Sequence, residues 1–455
     1  MIASLLAISV CSSLSISVGF VELQQPAPVS IKEAGPREWK PAVRTEIVKP
    51  KRTPSFDLDG KAKERKQGGN PRELNGLLVF DGATDGNRQV DPQVAVGGGH
   101  VLTGTNLGFI LYTNKGEYVR GVSQNIFESG IDPKMFFDPN NRVFGFDLWF
   151  PWDDAKLKPV RIAMSESDDP RGAWNTYSVP APKGVDGGAV GSSAKWVGYS
   201  FPGGPERTFV MRSADLKAGK PAKIWHFEGS LGHPVLGQDP EDALYFLQVS
   251  SKHFTVRRVV ERDGEAVVEM MGQTEHGLKS MGGPPPSPQL GTEQTTASGD
   301  RNPKNVVLQG GYLWFSQTVN HNGRAAVRWN QIGKDGSLVQ NGMLASETSS
   351  YIQSSLAVNK NHDVLIGFQE TNAEMYISPR CAWRHSSDPA GTLREIVSLG
   401  EGQGFTDGRS WGDYSGSCMD GDDHTTLWTV QSITSPEGKG HTVVARVPFG
   451  SESRK

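Results

Sequence analysis

Charged and aromatic side chains stand at the start of several short apolar segments of this chain, and their types suit ligand binding. The set comprises Asp91, Asp132, Asp300, Arg301, Tyr351, Arg409, Trp411 and Asp413. Carboxylates are the hard oxygen ligands that Ca²⁺ prefers, and a guanidinium can hold the carboxylate of a sugar acid through two hydrogen bonds. Paired carboxylates also serve as acid and base in glycosidases. The alternative is structural, because aspartate before proline is a common turn residue.

A second acidic group lies near the C-terminus. Asp420, Asp422 and Asp423 precede His424, and Asp420 and Asp422 could bind Ca²⁺ within a loop. A solvated turn between two strands is the alternative interpretation. The sequence contains no zinc-type spacing of Cys and His. It also contains no nucleophile elbow, phosphate-binding loop or His-Glu-x-x-His motif.

The elements that must position these residues are short β-strands. From Leu74 onwards, alternating segments end in Gly, Asn, Asp or Pro and recur in units of about 40 to 50 residues. No stretch sustains an apolar period of 3.6 residues over a dozen positions. Seven such units of four antiparallel strands predict an all-β fold, a single seven-bladed β-propeller over residues 74–455. In such a ring, the residues that precede the innermost strands converge on a central axis.

The last unit shows only three clear strands. Residues 75–80, Asn-Gly-Leu-Leu-Val-Phe, precede the first unit and have no place in it. We predict that this segment supplies the outer strand of the last blade. Both ends of the propeller would then close the ring, which leaves fewer sheet edges open.

The N-terminal residues differ in composition from the repeats. The first twenty are apolar and uncharged, which predicts a secretory signal peptide over residues 1–23, with an uncleaved membrane anchor as the alternative. Residues 24–73 are rich in proline and carry a net charge of about +5 by count, which predicts a disordered basic linker. The chain is therefore expected to be secreted, cell-surface or periplasmic. In such a compartment, Cys381 and Cys418 could form a disulfide or remain buried free thiols.

Two matching turns recur in the sequence. Ser167–Trp174 and Ser386–Leu393 both read Ser-x-Asp-Pro-x-Gly-x-apolar. They resemble the Asp-box turn of sialidase-like propellers, with one additional residue before the glycine. That resemblance implies that Asp169 and Asp388 serve folding rather than chemistry.

Longer segments resemble a family of exported bacterial propeller proteins. Residues 91–97 read Asp-Pro-Gln-Val-Ala-Val-Gly, and residues 411–416 read Trp-Gly-Asp-Tyr-Ser-Gly. The resemblance covers about residues 74–450 and implies fold and export, but it implies no activity. The chain departs from the family at residues 188–196, where that family often shows a further Trp-x-Asp-Tyr-Pro-Gly segment.

These observations favour an exported, non-catalytic propeller that binds a protein or polysaccharide on one face, because every blade contributes loops to one rigid surface. The alternative is an extracellular carbohydrate-active enzyme, a hydrolase or lyase, that uses the axial acidic ring. The formal charge is -3 although the N-terminal segment is basic, so the propeller is acidic and nucleic-acid binding is not expected. We expect a monomer that contacts membrane only through an uncleaved N-terminus, with Ca²⁺ as the one candidate cofactor.

Overall fold

Antiparallel sheets succeed one another along the chain, and each begins with its innermost strand. The structure is a computed structural model that describes residues 39–53, 55, 68–83, 90–123, 127, 130–149, 159–181, 187–201, 207–407 and 411–449. Short turns join consecutive strands, as at Asn322 and Gly323, which both have positive φ (52° and 82°). That conformation matches the twist of the flanking strands in a two-residue hairpin.

The first four blades each contain four antiparallel strands in sequence order. Blade 1 is Gln93–Gly97, His100–Thr105, Gly108–Thr113 and Tyr118–Ser123. Blade 2 is Ile131–Asp138, Val143–Trp149, Pro159–Ser165 and Trp174–Pro180. Blade 3 is Ala189–Ser192, Trp196–Ser200, Thr208–Arg212 and Ala222–Phe227. Blade 4 is His233–Pro234, Leu244–Val249, His253–Arg262 and Glu265–Glu275.

The remaining three blades follow the same plan. Blade 5 is Val306–Gln309, Tyr312–His321, Arg324–Gly333 and Leu338–Leu344. Blade 6 is Ser350–Val358, Val364–Asn372, Met375–Arg384 and Val397–Ser398. Blade 7 is Gly416–Met419, Leu427–Thr434, Gly440–Val447 and Leu77–Asp81, with Gly69–Leu74 as a fifth strand. The short strand Leu236–Gly237 pairs in parallel with the innermost strands of blades 3 and 5, and the one helix of the described residues is Ser213–Lys217.

Every pair of neighbouring blades shares an apolar cluster, and this includes the last and first blades. The cluster between blades 7 and 1 contains Phe80, Val94, Tyr112, Trp428 and Val444. Equivalent clusters occur between blades 1 and 2 and at each later step around the chain. The sheets of the described residues therefore form a closed ring, which confirms the predicted all-β, seven-bladed propeller.

The N-terminal part of the propeller completes blade 7. In the strand pairing, Val79 lies opposite Ala445 and Phe80 lies opposite Val444. Thr442 extends the contact, because its hydroxyl accepts a hydrogen bond from the Ala83 amide at 2.7 Å. The ring is thus closed by strands from both ends of the propeller, as the sequence predicts.

The segment predicted as a disordered linker, residues 24–73, contains strands where the structure describes it. Trp39–Pro41 pairs with blade 4, Arg44–Val48 with blade 3 and Lys51–Thr53 with blade 2. Ion pairs accompany these contacts, as between Arg52 Nε and Glu166 Oε1 at 2.7 Å. The strands escaped prediction because a strand added at the outer edge of a blade buries little and shows no apolar alternation. The predicted signal peptide or anchor, residues 1–23, lies outside the described residues.

The two matching turns join the third and fourth strands of their blades. In blade 2, the Asp169 carboxylate accepts a hydrogen bond from the Arg171 amide at 3.0 Å, and the Trp174 indole donates to the Pro170 carbonyl at 2.9 Å. In blade 6, the Asp388 carboxylate accepts from the His385 amide at 2.8 Å. Both aspartates therefore stabilise their own turns.

Two further expectations concern export and membrane contact. Cys381 and Cys418 are free thiols, and Cys381 is fully buried. The structure therefore shows no disulfide between these two cysteines. Within the residues described here, no helix has the length and apolar character needed to cross a bilayer.

Two N-terminal truncations distinguish the contribution of the strand that closes the ring from that of the outer strands at the blade edges. A chain that begins at Gly68 lacks the three outer strands and should unfold cooperatively at a midpoint only a few degrees lower. A chain that begins at Val90 also lacks Leu77, Val79 and Phe80, which are at most 5% exposed. Burial of each such side chain contributes roughly 1.5–3 kcal/mol, so the three together rival the stability of a whole domain, about 5–15 kcal/mol.

Thermal unfolding followed by circular dichroism distinguishes the two truncated chains. We expect the shorter one to show no cooperative transition. Equal unfolding midpoints for the two chains would contradict closure of the ring by residues 77–81.

Candidate ligand-binding site at the propeller axis

Charged side chains from several blades meet on the face where the innermost strands begin. The axial cluster comprises Asp91, Asp132, Lys134, Asp147, Asp413 and Tyr414. Burial raises the pKa of Tyr414, and the negative charges of all four carboxylates raise that pKa further. The sequence predicted three members, Asp91, Asp132 and Asp413, and the structure brings these three together.

Asp91 joins three blades. Its side chain is 2% exposed, and its carboxylate accepts hydrogen bonds of 2.6 Å from the Asp413 amide and from the Asn106 side chain. The Asn106 carbonyl oxygen in turn accepts a 2.7 Å bond from the Asp132 amide. Burial raises the pKa of Asp91, and these hydrogen bonds oppose the rise. Asp91 therefore ties blade 7 to blade 1, and Asn106 continues the connection to blade 2.

Asp91 and Asp132 share an unusual backbone conformation. Their φ angles are 44° and 54°, in the left-handed region that disfavours most side chains but tolerates Asp and Asn best. Gln353 has the same conformation (φ 51°) within the innermost strand of blade 6. Its side-chain amide donates to the Gly412 carbonyl. Asp132 and Gln353 lie where the pairing of their innermost strands shifts register, whereas Asp91 precedes the innermost strand of blade 1.

Lys134 is the cation of the axial cluster. Its ammonium lies 2.6 Å from the centroid of the Tyr414 ring, and the Tyr414 hydroxyl donates to the Pro133 carbonyl at 3.1 Å. Burial and the charge of Lys304 lower the pKa of Lys134 to about 7, although Asp132, Asp91 and Asp147 favour its charged form. Burial therefore weakens the charged form of Lys134.

Asp147 lies opposite Lys134 in the neighbouring strand of blade 2. The side chain is 1% exposed, and neither carboxyl oxygen makes a hydrogen bond of good geometry within the described residues. Burial raises the pKa of Asp147 to about 8, although the charge of Lys134, the Lys134 amide and the Tyr199 hydroxyl oppose the rise. Asp147 is therefore protonated at neutral pH and can donate a proton or a hydrogen bond.

The rim of the site includes basic groups from the segments around blade 4. His233 Nδ1 lies 2.8 Å from the Pro234 carbonyl oxygen, and burial lowers the pKa of His233 to about 4, with Lys134 and Lys304 adding to this effect. Lys304 pairs with Asp300 at 2.9 Å. Asp300, predicted as a member of the ring, is exposed and acts through this ion pair at the edge of the axial cluster.

Four other predicted residues do not join the axial cluster. Tyr351 is 6% exposed and packs against Phe368 between blades 5 and 6. Trp411 is fully buried and its indole donates to the Gln369 side chain at 3.3 Å. Arg301 is exposed and lies near enough to Arg328 for its charge to lower the pKa of Arg328, and Arg409 lies outside the described residues.

The predicted calcium loop is occupied by protein donors. The Asp422 carboxylate accepts from the amides of Gly98 and Gly99 (3.1 and 2.8 Å) and pairs with Arg142 at 2.9 Å. The Asp420 carboxylate accepts from the Trp428 indole at 3.2 Å. Across the described ranges, no three His, Cys, Asp or Glu side chains form a group suited to a metal ion. Asp422 thus joins blade 7 to blades 1 and 2.

Sequence reasoning missed Lys134, Asp147 and Tyr199. One signal was available for Asp147, because it is the only charge in the otherwise apolar strand Val143–Trp149, and a buried lone charge is rare unless it has a role. Lys134 and Tyr199 carried no comparable signal, since their importance depends on the residues that face them from other strands.

No protein-family model matches the chain, and no curated protein matches it. Similar solved structures include a fungal alcohol oxidase of the AA5 family in complex with copper (12% identity, 92% of this chain, 78% of that chain, TM-score 0.43). A quinonprotein alcohol dehydrogenase-like protein from Bacteroides thetaiotaomicron is also similar (10% identity, 73% of this chain, 78% of that chain, TM-score 0.39). So is TolB from Acinetobacter baumannii (11% identity, 78% of this chain, 78% of that chain, TM-score 0.33). Likeness at this level carries no argument about activity.

The raised pKa of Asp147 predicts a pH-dependent stability difference. The folded chain keeps a proton that the unfolded chain releases near pH 4, so Asp147 lowers stability increasingly as the pH rises from about 4 to about 8. Asp147→Asn removes this effect. Between pH 5 and 7, the unfolding free energy of the variant should therefore rise relative to the parent, by at most about 1.4 kcal/mol per pH unit.

Urea unfolding at several pH values measures this difference. Asp263→Asn, at an exposed turn position with φ 51°, is the matched control and should differ from the parent by a constant amount. If the difference in unfolding free energy between Asp147→Asn and the parent does not change with pH, the carboxyl is ionised in the folded chain.

Proposed function

We propose that this chain is an exported, non-catalytic propeller that binds a polysaccharide at the axial cluster. The observation that carries the proposal is the mixture of accessible charges at one point: Asp413 is exposed, and Asp132, Lys134 and Lys304 are partly exposed. Sugar hydroxyls both donate and accept hydrogen bonds. They donate to carboxylates and accept from ammonium groups, so an alternating set of this kind suits a polyhydroxylated ligand.

Polysaccharide suits the site better than a protein partner does. A protein interface usually has an apolar core rimmed by polar groups. Among the described residues, the large apolar side chains that are exposed are Val43, Ile47, Met270, Val339 and Phe405. Val43 and Ile47 belong to the N-terminal segment on the outer edge, and Met270 and Val339 belong to the outermost strands of blades 4 and 5. A contiguous apolar patch is therefore not found at the axis within the described ranges.

One observation favours a carbohydrate-active enzyme as the second candidate. Asp147 is held protonated while Asp413 is open to solvent, and two carboxyl groups in such different surroundings can act as acid and base. Asp147 is itself only 1% exposed. It is therefore placed to influence Lys134 rather than to touch a substrate, and this supports binding without turnover.

Binding of glycan and cell-wall polysaccharides to the chain tests the proposal. Asp132→Asn and Asp413→Asn each remove one charge, and asparagine tolerates the left-handed backbone at position 132. The hydrogen bond from residue 413 to Asp91 uses the amide and is retained. We expect each variant to weaken binding of the best polysaccharide about 10-fold, the equivalent of about 1.4 kcal/mol.

The control for this experiment is Asp263→Asn, which lies in a hairpin turn away from the site. It should bind like the parent. Equal binding by all three variants would place the ligand elsewhere, and release of reducing sugar that depends on Asp147 would support the enzyme instead.

A further inference from the structure

Arg328 in blade 5 is a buried guanidinium with no carboxylate partner among the described residues. Its side chain is 7% exposed. One terminal nitrogen donates to the Gln317 side chain at 2.9 Å and the other donates to the Lys279 carbonyl at 3.2 Å. The Nε atom has no hydrogen-bonding partner in the described part of the chain. Guanidinium has five donors, so most of the hydrogen-bonding capacity of Arg328 is unused.

The groups around Arg328 are mainly basic. Burial lowers the pKa of Arg328, and the nearby charge of Arg301 lowers it further. His276 is 6% exposed, and its pKa is lowered by burial and then by Arg328 and His253. The carboxylate of Glu275, which is exposed, opposes this lowering. A buried charge without a partner is costly, and two converging cations increase that cost.

These residues line a narrow pocket between blades 4 and 5. The pocket is bounded by the hairpin that joins the second and third strands of blade 4, by the segment that follows blade 4, and by Gln317 and Arg328 of blade 5. In an up-and-down blade, this hairpin lies on the face where the innermost strand begins. The pocket therefore opens on the same face as the axial cluster, and Arg301 is only three residues from Lys304 at its rim.

We propose that Arg328 and Arg301 form a subsite for the carboxylate of an acidic sugar. A carboxylate at the mouth of the pocket would accept hydrogen bonds from the terminal guanidinium nitrogens, and guanidinium–carboxylate pairs are strong and directional. The axial cluster has more carboxylates than cations and therefore disfavours an acidic sugar. The two sites together suit a polysaccharide that presents a neutral unit to the axis and a uronate to blades 4 and 5. This inference depends on the proposed function for the identity of the ligand.

Binding of an acidic oligosaccharide and of its uncharged methyl ester tests the inference. Oligogalacturonate and its methyl ester share one sugar backbone, and esterification removes the carboxylate. By isothermal titration calorimetry, the parent should bind the acid form about 10-fold more tightly than the ester, and added salt should reduce the difference. Arg301→Gln and Arg328→Gln should each abolish the preference and leave affinity for the ester unchanged.

The control is Lys115→Gln, at an exposed hairpin position in blade 1, which should keep the preference for the acid form. The unliganded Arg328→Gln variant should be as stable as the parent or more stable, because it removes an uncompensated buried charge. Loss of stability with retained preference would assign Arg328 a purely structural role and overturn the inference. If Arg328→Gln fails to fold, the exposed Arg301→Gln still decides the question.

The outcomes separate this inference from the proposed function. If ester and acid bind equally and Asp132→Asn weakens both, the axial site stands and the anionic subsite is rejected. If monomeric galacturonate raises the unfolding midpoint of the parent but not of Arg301→Gln, while no polysaccharide binds, the anionic subsite stands and the proposed function is rejected. If galacturonate has no effect on the midpoint and acid oligomers show no preference, the inference is wrong.

Discussion

The antiparallel pairing of residues 77–81 with residues 440–447 is the constraint on which the rest of the molecule depends. It joins segments more than 350 residues apart in sequence and brings the apolar faces of blades 7 and 1 together. The hydrogen bond between Asp91 and the Asp413 amide crosses the same seam. Without closure there is no common axis, and the carboxylates of the axial cluster would belong to separate sheets.

The axial cluster combines structural and accessible charges. Both carboxylate oxygens of Asp91 accept hydrogen bonds within the protein and help to hold three blades in position, whereas Asp413 is exposed to solvent. Asp147 and Lys134 lie between these extremes, because burial weakens the charged form of both. The same low-dielectric surroundings that make unpaired groups costly also strengthen the hydrogen bonds that a ligand can form with them. A site of this kind is preorganised by the ring rather than by its own loops.

Much of the fold was predictable from the sequence, because each blade has a local signature. Alternating strands and turn residues recur with a regular period, and residues 75–80 form a strand-like segment that completes the three-stranded last unit. The outer strands of residues 39–53 were not predictable in this way. These strands bury no continuous apolar face. They form through backbone pairing at the outer edges of the blades, so their sequence shows no apolar alternation.

The site was predictable in part, and the errors have a physical explanation. Asp91, Asp132 and Asp413 were found because any residue that leads into an innermost strand starts near the axis. Tyr351 was misplaced because successive side chains point to opposite faces of a strand, and Tyr351 packs between blades 5 and 6. Trp411 precedes the first strand of blade 7 and is fully buried. Asp147 and Tyr199 meet across two blades, and Arg328 and Arg301 meet across a connecting segment. Such pairs depend on register between strands, which a single sequence does not reveal.

A disulfide across the seam tests closure of the ring most directly. Leu78 lies opposite Arg446 in the strand pairing, and opposed residues in antiparallel strands approach closely enough for a disulfide. The chain with Leu78→Cys and Arg446→Cys should oxidise to a 78–446 bridge that peptide mapping identifies. A chain with Leu78→Cys and Ala445→Cys has the two thiols on opposite faces of the sheet and should stay reduced. If the offset pair oxidises as readily, or if the matched pair remains reduced, the ring is not closed in the register described and the axial site does not exist.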